Sequence, residues 1–290
     1  MIVRTVLGDI APEQLGSCDA HEHLFLDTPA QPGEEFLDVD KAIEEAQTLV
    51  AAGGRSVVDW TPIGLEAVAR ATGLHVVAAT GLHRDAHFTA DDPLRSTSAD
   101  DLAETFVAEL AGRCGIVKVG ASYHHLTQFE MTAFEAAAAA HERTGAPVCV
   151  HTQHGTMGLA LVERLAALGV PPSSIVLAHV DRNPDVGEHA ETASIGATLQ
   201  LDGPGRTKYW PDSTILELIA GLAEAGHADR LLLGGDTGRR NMLRAYGGGP
   251  GLDYVFARFK PRLERELGRE LAERIFVANP ARAFAWAPHA

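Results

Sequence analysis

Residues 18–24 read Cys-Asp-Ala-His-Glu-His-Leu, which places two histidines at alternate positions, His21 and His23, beside an apolar pair. Alternate residues of a strand share a face, so an extended segment here would aim both imidazoles one way and Glu22 the other. Further along, Lys118, His151, His179 and Asp236 each follow or end a short apolar run, and the gaps between them are 33, 28 and 57 residues. Neutral imidazoles and carboxylates are the ligands a zinc-like cation takes. Any one of the 14 histidines taken alone reads as a hydrogen-bonded polar residue. Four of them on run ends with an aspartate, in step with one repeat length, read as a metal site. Lys118 is the odd member, because an ammonium repels a cation. Desolvated, it can lose its proton and take up CO₂ as a carbamate able to bridge two metals; otherwise it is a salt-bridged lysine on the rim.

The elements that would position these residues alternate along the whole chain. Eight β-branched or apolar runs, from "SCDAHEH" through "RSVVDW", "HVVAAT", "GIVKVG", "PVCVHT", "SIVLAHV" and "ATLQLDG" to "RLLLGGD", are separated by amphipathic helical stretches. One of these stretches opens with Thr127 and has Glu130 three residues on, the signature of a capping box. Strict alternation predicts a parallel sheet covered by helices, and eight units is the number that closes an α/β barrel. A doubly wound open sheet is the alternative. With no linker or composition break, one domain over residues 1–290 is expected, with the chemistry at the C-terminal strand ends.

The formal net charge of −15 disfavours nucleic acid and anionic membranes as partners. Three cysteines, Cys18, Cys114 and Cys149, lack framework or metal spacing. A reduced, cytoplasmic setting is therefore expected, without targeting or membrane-spanning segments.

With these residues in view, the chain resembles the phosphotriesterase-like family of the amidohydrolase superfamily along nearly its whole length. The carrying motifs are "HEHL" (21–24), "VVDWTPIGL" (57–65), "VVAATGLH" (76–83), "GIVKVG" (115–120), "TGAPVCVHT" to residue 152, "GVPPSSIVLAHVD" to residue 181 and "VANPARAF" (277–284). The resemblance implies an amidohydrolase-type (β/α)₈ TIM barrel with two divalent metals, usually zinc, bridged by a carboxylated lysine and a hydroxide. It assigns His21, His23 and Asp236 to a buried metal, His151 and His179 to an exposed one, and Lys118 to both. The implied reaction is hydrolysis by that hydroxide, with Asp236 passing the proton to the leaving group.

Substrate choice falls to the loops. "DGPGRTKYWPD" offers Arg206, Lys208 and Tyr209, and "DTGRRNMLRAYGGGPG" offers Arg239, Arg240 and Arg244, in the two loops where barrel enzymes often seat a phosphate. Arg206 and Arg244 could equally pair with Asp202, Asp212 or Asp253. The fragments "HVDRNPD", "DGPGRTKYWPD" and "AYGGGPGLDY" are similar to the branch of the family that opens phosphorylated sugar lactones, which adds Arg182. The expected substrate is thus a small anionic phosphorylated lactone. The alternatives are an acyl-homoserine lactonase or promiscuous phosphotriesterase, for which 6% aromatic residues supply little apolar pocket, or a catalytically silent metal- or ligand-binding barrel. His83, Arg84, His124 and His125 could touch substrate or simply sit in loops, and a homodimer is left open.

Overall fold

Each of the eight apolar runs forms a strand, and neighbours in sequence are neighbours in the sheet. The computed structural model describes residues 1–61 and 64–288, so two positions of the 57–65 motif, Pro62 and Ile63, lie outside the described residues. An antiparallel hairpin, β1 (Val3–Thr5) and β2 (Gly8–Ile10), precedes the barrel. The barrel strands are β3 (Cys18–Glu22), β4 (Ser56–Asp59), β5 (His75–Gly81), β6 (Cys114–Ala121), β7 (Val148–Thr152), β8 (Ile175–Ala178), β9 (Thr198–Leu201) and β10 (Leu231–Leu233). They pair in parallel and in chain order, the arrangement of a (β/α)₈ barrel rather than an open doubly wound sheet.

Helices α1 (Val39–Ala51), α2 (Leu65–Thr72), α3 (Ala99–Gly112), α4 (Gln128–Thr144), α5 (Gly158–Ala167), α6 (Val186–Ser194), α7 (Asp212–Glu224) and α8 (Lys260–Leu267) follow the successive strands. The α4 capping box forms: the Thr127 hydroxyl accepts the Glu130 N–H at 3.2 Å, and Glu130 Oε2 accepts the Thr127 N–H at 3.0 Å. Buried Glu130 also takes the Ser122 hydroxyl at 2.7 Å and the Asp85 N–H at 3.0 Å, so one carboxylate ties the loops after β5 and β6 to the start of α4.

Strand alternation sorts the core into two shells. Ala20, Val58, Val77, Ile116, Cys149 and Leu232 fill the inside of the barrel. Val57, Val76, Val117, Val150, Leu199 and Leu233 face the helices. Lys118 and His151 continue the inward rows begun by Ile116 and Cys149. In β3 the same count, starting from Cys18 and Ala20, would turn His21 outward. A register shift between Asp19 and Glu22, where β3 pairs with β4, resets the phase and leaves His21 and His23 facing the cavity.

β10 and β3 meet at the barrel's seam without a regular ladder, joined by the Gly235 and Asp236 N–H groups, which both donate to the His21 carbonyl at 3.1 and 2.8 Å. Glycines at 234 and 235 allow the approach, since a Cβ on either would run into His21 or Glu22. Among the described residues, no helix is long and apolar enough to cross a membrane.

Candidate active site

The C-terminal strand ends open into a cavity of about 450 Å³, lined by His21, His23, Lys118, His151, His179 and Asp236 together with loop residues. All six residues expected to hold metal are therefore brought to one place. His21 and His23 present Nε2 to Asp236 Oδ1 at 3.7 and 3.4 Å. His179 Nε2 and His151 Nδ1 face each other at 2.8 Å, and His151 Nε2 meets Gln153 Oε1 at 2.9 Å. Lys118 Nζ donates to the Trp60 carbonyl at 3.3 Å, and the Trp60 indole stacks on the His21 ring at 3.9 Å.

Burial holds the His21, His151 and His179 imidazoles well below their ordinary pKa, so they are neutral and carry lone pairs. Burial would raise the Asp236 carboxyl, but the Arg206 guanidinium and the surrounding imidazoles keep it well below the usual carboxylate range. The Lys118 ammonium is brought down by burial to about 8, against the pull of Asp236 and Asp59. His179 and Asp236 adopt left-handed backbone, φ 66° and 45°, which costs a non-glycine residue about 1–3 kcal/mol. Bonds from the His179 N–H to Asp202 Oδ2 at 2.9 Å and from the Asp236 N–H to the His21 carbonyl hold them there.

The donor set fits a divalent cation. Ligand atoms of His21, His23 and Asp236 lie within 4.8 Å of one another, as do those of His21, His179 and Asp202. The buried Nδ1 of His23 lacks a hydrogen-bond partner among the described residues, and that of His179 lies 3.1 Å from Asp202 Oδ2 without hydrogen-bond alignment.

The cationic residues divide sharply. Arg182 donates to Asp236 Oδ2 at 2.8 Å, and Arg206 contacts the same oxygen and the Asp236 carbonyl. Arg206 is thus an ion-paired residue, but its partner is Asp236 and none of the three aspartates named from sequence. Asp202 points into the barrel, Asp212 accepts the Gly205 N–H and the Tyr254 hydroxyl, and Asp253 pairs with Arg244 at 2.7 Å. Lys208 lines the cavity over the Tyr209 ring at 4.7 Å and has no carboxylate partner among the described residues. Arg182 covers Tyr209 at 4.8 Å. Arg239 lines the cavity with only a 3.8 Å contact to Glu34, whereas Arg240 leaves it and stacks on Tyr246.

His83 and Arg84 also line the cavity, His83 with its ring 4.5 Å from that of His151. His124 and His125 are exposed in a neighbouring cleft. Sequence reasoning missed Asp202, Glu22 and the orientation of Arg206. The alternation of "TLQLDG" already put Gln200 and Asp202 on the inward face, a signal that could have been used.

An eight-stranded parallel barrel whose strand ends gather imidazoles, a lysine and a carboxylate around a polar cavity defines the class of metal-dependent barrel hydrolases. The chain belongs to the phosphotriesterase family, whose model matches residues 1–284. It is similar to a phospho-furanose lactonase from Mycoplasmopsis synoviae, with 32% identity across 98% of this chain and 91% of that one. Among solved structures it is similar to a lactonase from Listeria monocytogenes, with TM-score 0.94 and 30% identity, covering 99% of this chain and 100% of that one. The phosphotriesterase homology protein from Escherichia coli, solved with phosphate in its active site, aligns with TM-score 0.88 and 30% identity over 94% of this chain and 99% of that one. The chain is a hydrolase acting on ester bonds.

Proposed function

We propose that this protein is a lactonase that opens a sugar lactone carrying a phosphate. The observation that carries the proposal is the placement of Lys208, with no carboxylate partner among the described residues, and Arg239, only loosely engaged by Glu34, on the wall of the same cavity as the histidine cluster. In a chain of net charge −15, cations left available at one cavity are set for an anion. The name of the Mycoplasmopsis relative, a phospho-furanose lactonase, supports the same substrate class; the Listeria relative's name supports a lactone, and the phosphate in the Escherichia coli homologue supports an anion at this place.

In this reading His21, His23 and Asp236 would hold one divalent ion, His151 and His179 would hold a second, and Lys118, as a carbamate, would serve both. The lowered Lys118 pKa supports that role, since about a tenth of an amine with pKa near 8 is neutral and nucleophilic toward CO₂ at pH 7. Two ions, zinc in this proposal, would supply a Lewis acid for the lactone carbonyl and lower the pKa of water. Hydrolysis forms a bond from water oxygen to the carbonyl carbon, breaks the ring C–O bond and leaves the ring oxygen needing a proton. Asp236 takes the proton from water and returns it to that oxygen. Arg182 and Arg206, both on Asp236, keep it ionised until then and fix its orientation. Lys208 and Arg239 hold the phosphate, and the Tyr209 ring packs against both Lys208 and Arg182.

The same cavity wall carries Arg84, Arg182, Arg206, Lys208 and Arg239, which disfavours a long acyl chain or an apolar triester. Hydrolysis of matched sugar lactones with and without the phosphate tests the proposal, and a preference for the phosphorylated member is the expected outcome.

A further inference from the structure

Asp202 follows β9 at the level of the histidines, fully buried, and is absent from the cavity lining. Its Oδ2 accepts the His179 backbone N–H at 2.9 Å, stands 3.2 Å from His21 Nδ1 and lies 3.1 Å from His179 Nδ1. Its Oδ1 accepts from Gln200 Nε2 at 3.0 Å, the same amide nitrogen stands 2.9 Å from His21 Nδ1, and the Asp202 N–H donates to Asp181 Oδ1 at 2.9 Å. One carboxylate oxygen therefore touches two imidazoles from opposite parts of the chain.

Both rings are oriented alike. His21 turns Nδ1 to Asp202 and Nε2 toward Asp236 at 3.7 Å. His179 turns Nδ1 to Asp202 and Nε2 to His151 at 2.8 Å. In each ring Nδ1 faces the shared carboxylate and Nε2 points to another residue expected to hold metal, Asp236 or His151; His179 Nδ1 also lies 3.8 Å from Asp236 Oδ2. A carboxylate behind a metal-binding imidazole fixes which nitrogen carries the proton, sets the ring plane and raises the basicity of the other nitrogen.

We propose that Asp202 is a positioning residue shared by the two metal sites, so that one side chain sets the affinity of both ions at once. This rests on the two-ion assignment made under the proposed function, in which His21 and His179 serve different ions. The rival role is direct ligation, since the ligand atoms of His21, His179 and Asp202 also lie within 4.8 Å of one another. Direct ligation would use the Nδ1 atoms of both rings and leave the Nε2 atoms, which face Asp236 Oδ1 and His151, without the cation.

The test is zinc titration of the metal-free full chain against a competing chromophoric chelator, for the natural protein, Asp202→Ala and Asp202→Asn. Thermal unfolding of each metal-free protein monitors the fold, and the visible spectrum after cobalt loading monitors ligand geometry. Asp202→Ala is expected to weaken both ions by about 10- to 100-fold and to change the cobalt spectrum. Asp202→Asn keeps the shape and one acceptor oxygen, so it should shift both affinities in the same direction by less, and it decides the matter should the alanine variant not fold.

Loss of one ion with the other held at natural affinity would make Asp202 a ligand of that ion and overturn the proposal. Unchanged affinities and spectrum would overturn it too, leaving a purely structural carboxylate. No lactone enters this assay, so its failure is separable from failure of the substrate assignment. A natural protein that binds fewer than two ions would overturn both this proposal and the two-ion assignment.

Discussion

The carbonyl oxygen of His21 accepts the backbone N–H of Asp236 at 2.8 Å, so the first and last strand ends of the barrel are locked together at two residues that line the cavity side by side. Glu22, one residue on, reinforces the lock. Its Oε2 accepts the Thr237 N–H at 2.8 Å and the His23 N–H at 3.3 Å, and Oε1 accepts the Thr237 hydroxyl at 3.1 Å. Burial and the charge of Asp19 push its carboxyl well above the usual range, so a neutral side chain suits the site.

Glu22→Ala should lower stability by about 3 kcal/mol, because three bonds at a buried seam are lost and a cavity remains. Glu22→Gln should cost about 1 kcal/mol or less. Urea unfolding midpoints check both, and equal losses would mean that charge rather than shape holds the seam.

Chelator treatment should abolish hydrolysis, and zinc with bicarbonate should restore it together with about two ions per chain. Lys118→Ala should bind fewer ions than the natural protein under the same conditions. Elemental analysis is the check, and uptake of two ions by the alanine variant would show that Lys118 bridges nothing.

Asp236→Asn should reduce kcat by about 100-fold or more, since it removes a proton acceptor and one carboxylate of the cluster. Metal content must be measured on the same samples. Near-natural turnover with both ions retained would leave Asp236 only its contacts with Arg182 and Arg206.

The three thiols should be silent in the native protein. Burial raises the Cys18 and Cys149 thiols well above their ordinary pKa and pushes Cys114 up to about 12, with the charge of Glu109 adding to it. A chromogenic disulfide reagent at pH 8 should find none reactive before denaturant is added and three afterwards. Fast reaction of one thiol in the native state would show that its part of the barrel opens.

The barrel and the gathering of the six expected residues at one cavity were legible because both rest on local pattern. Each strand is a short apolar run, and each of these residues lies within its run or shortly after it, so the pattern needs no knowledge of which strands touch. Asp202, Glu22 and Arg206 were harder to read because their partners come from across the closed barrel. Arg206 reaches Asp236 over 30 residues, and Glu22 meets Thr237 only once β10 returns to β3. The hairpin Val3–Ile10 was also missed, since two three-residue strands leave too little alternation to detect. The phase of β3 depends on a register shift that no side-chain pattern announces.

Binding of a phosphorylated lactone by Lys208 and Arg239 is decided by kcat/KM for one sugar lactone with and without its phosphate, in the natural protein and in Lys208→Ala and Arg239→Ala. A charge-assisted bond to an anion contributes about 1.5–3 kcal/mol, so each substitution should lower kcat/KM for the phosphorylated lactone by about 10- to 150-fold. Hydrolysis of the plain lactone should stay at its natural rate, and Arg240→Ala, whose guanidinium stacks on Tyr246, should leave both substrates unaffected. A natural protein indifferent to the phosphate, or variants that slow both lactones equally, would mean that Lys208 and Arg239 hold no phosphate.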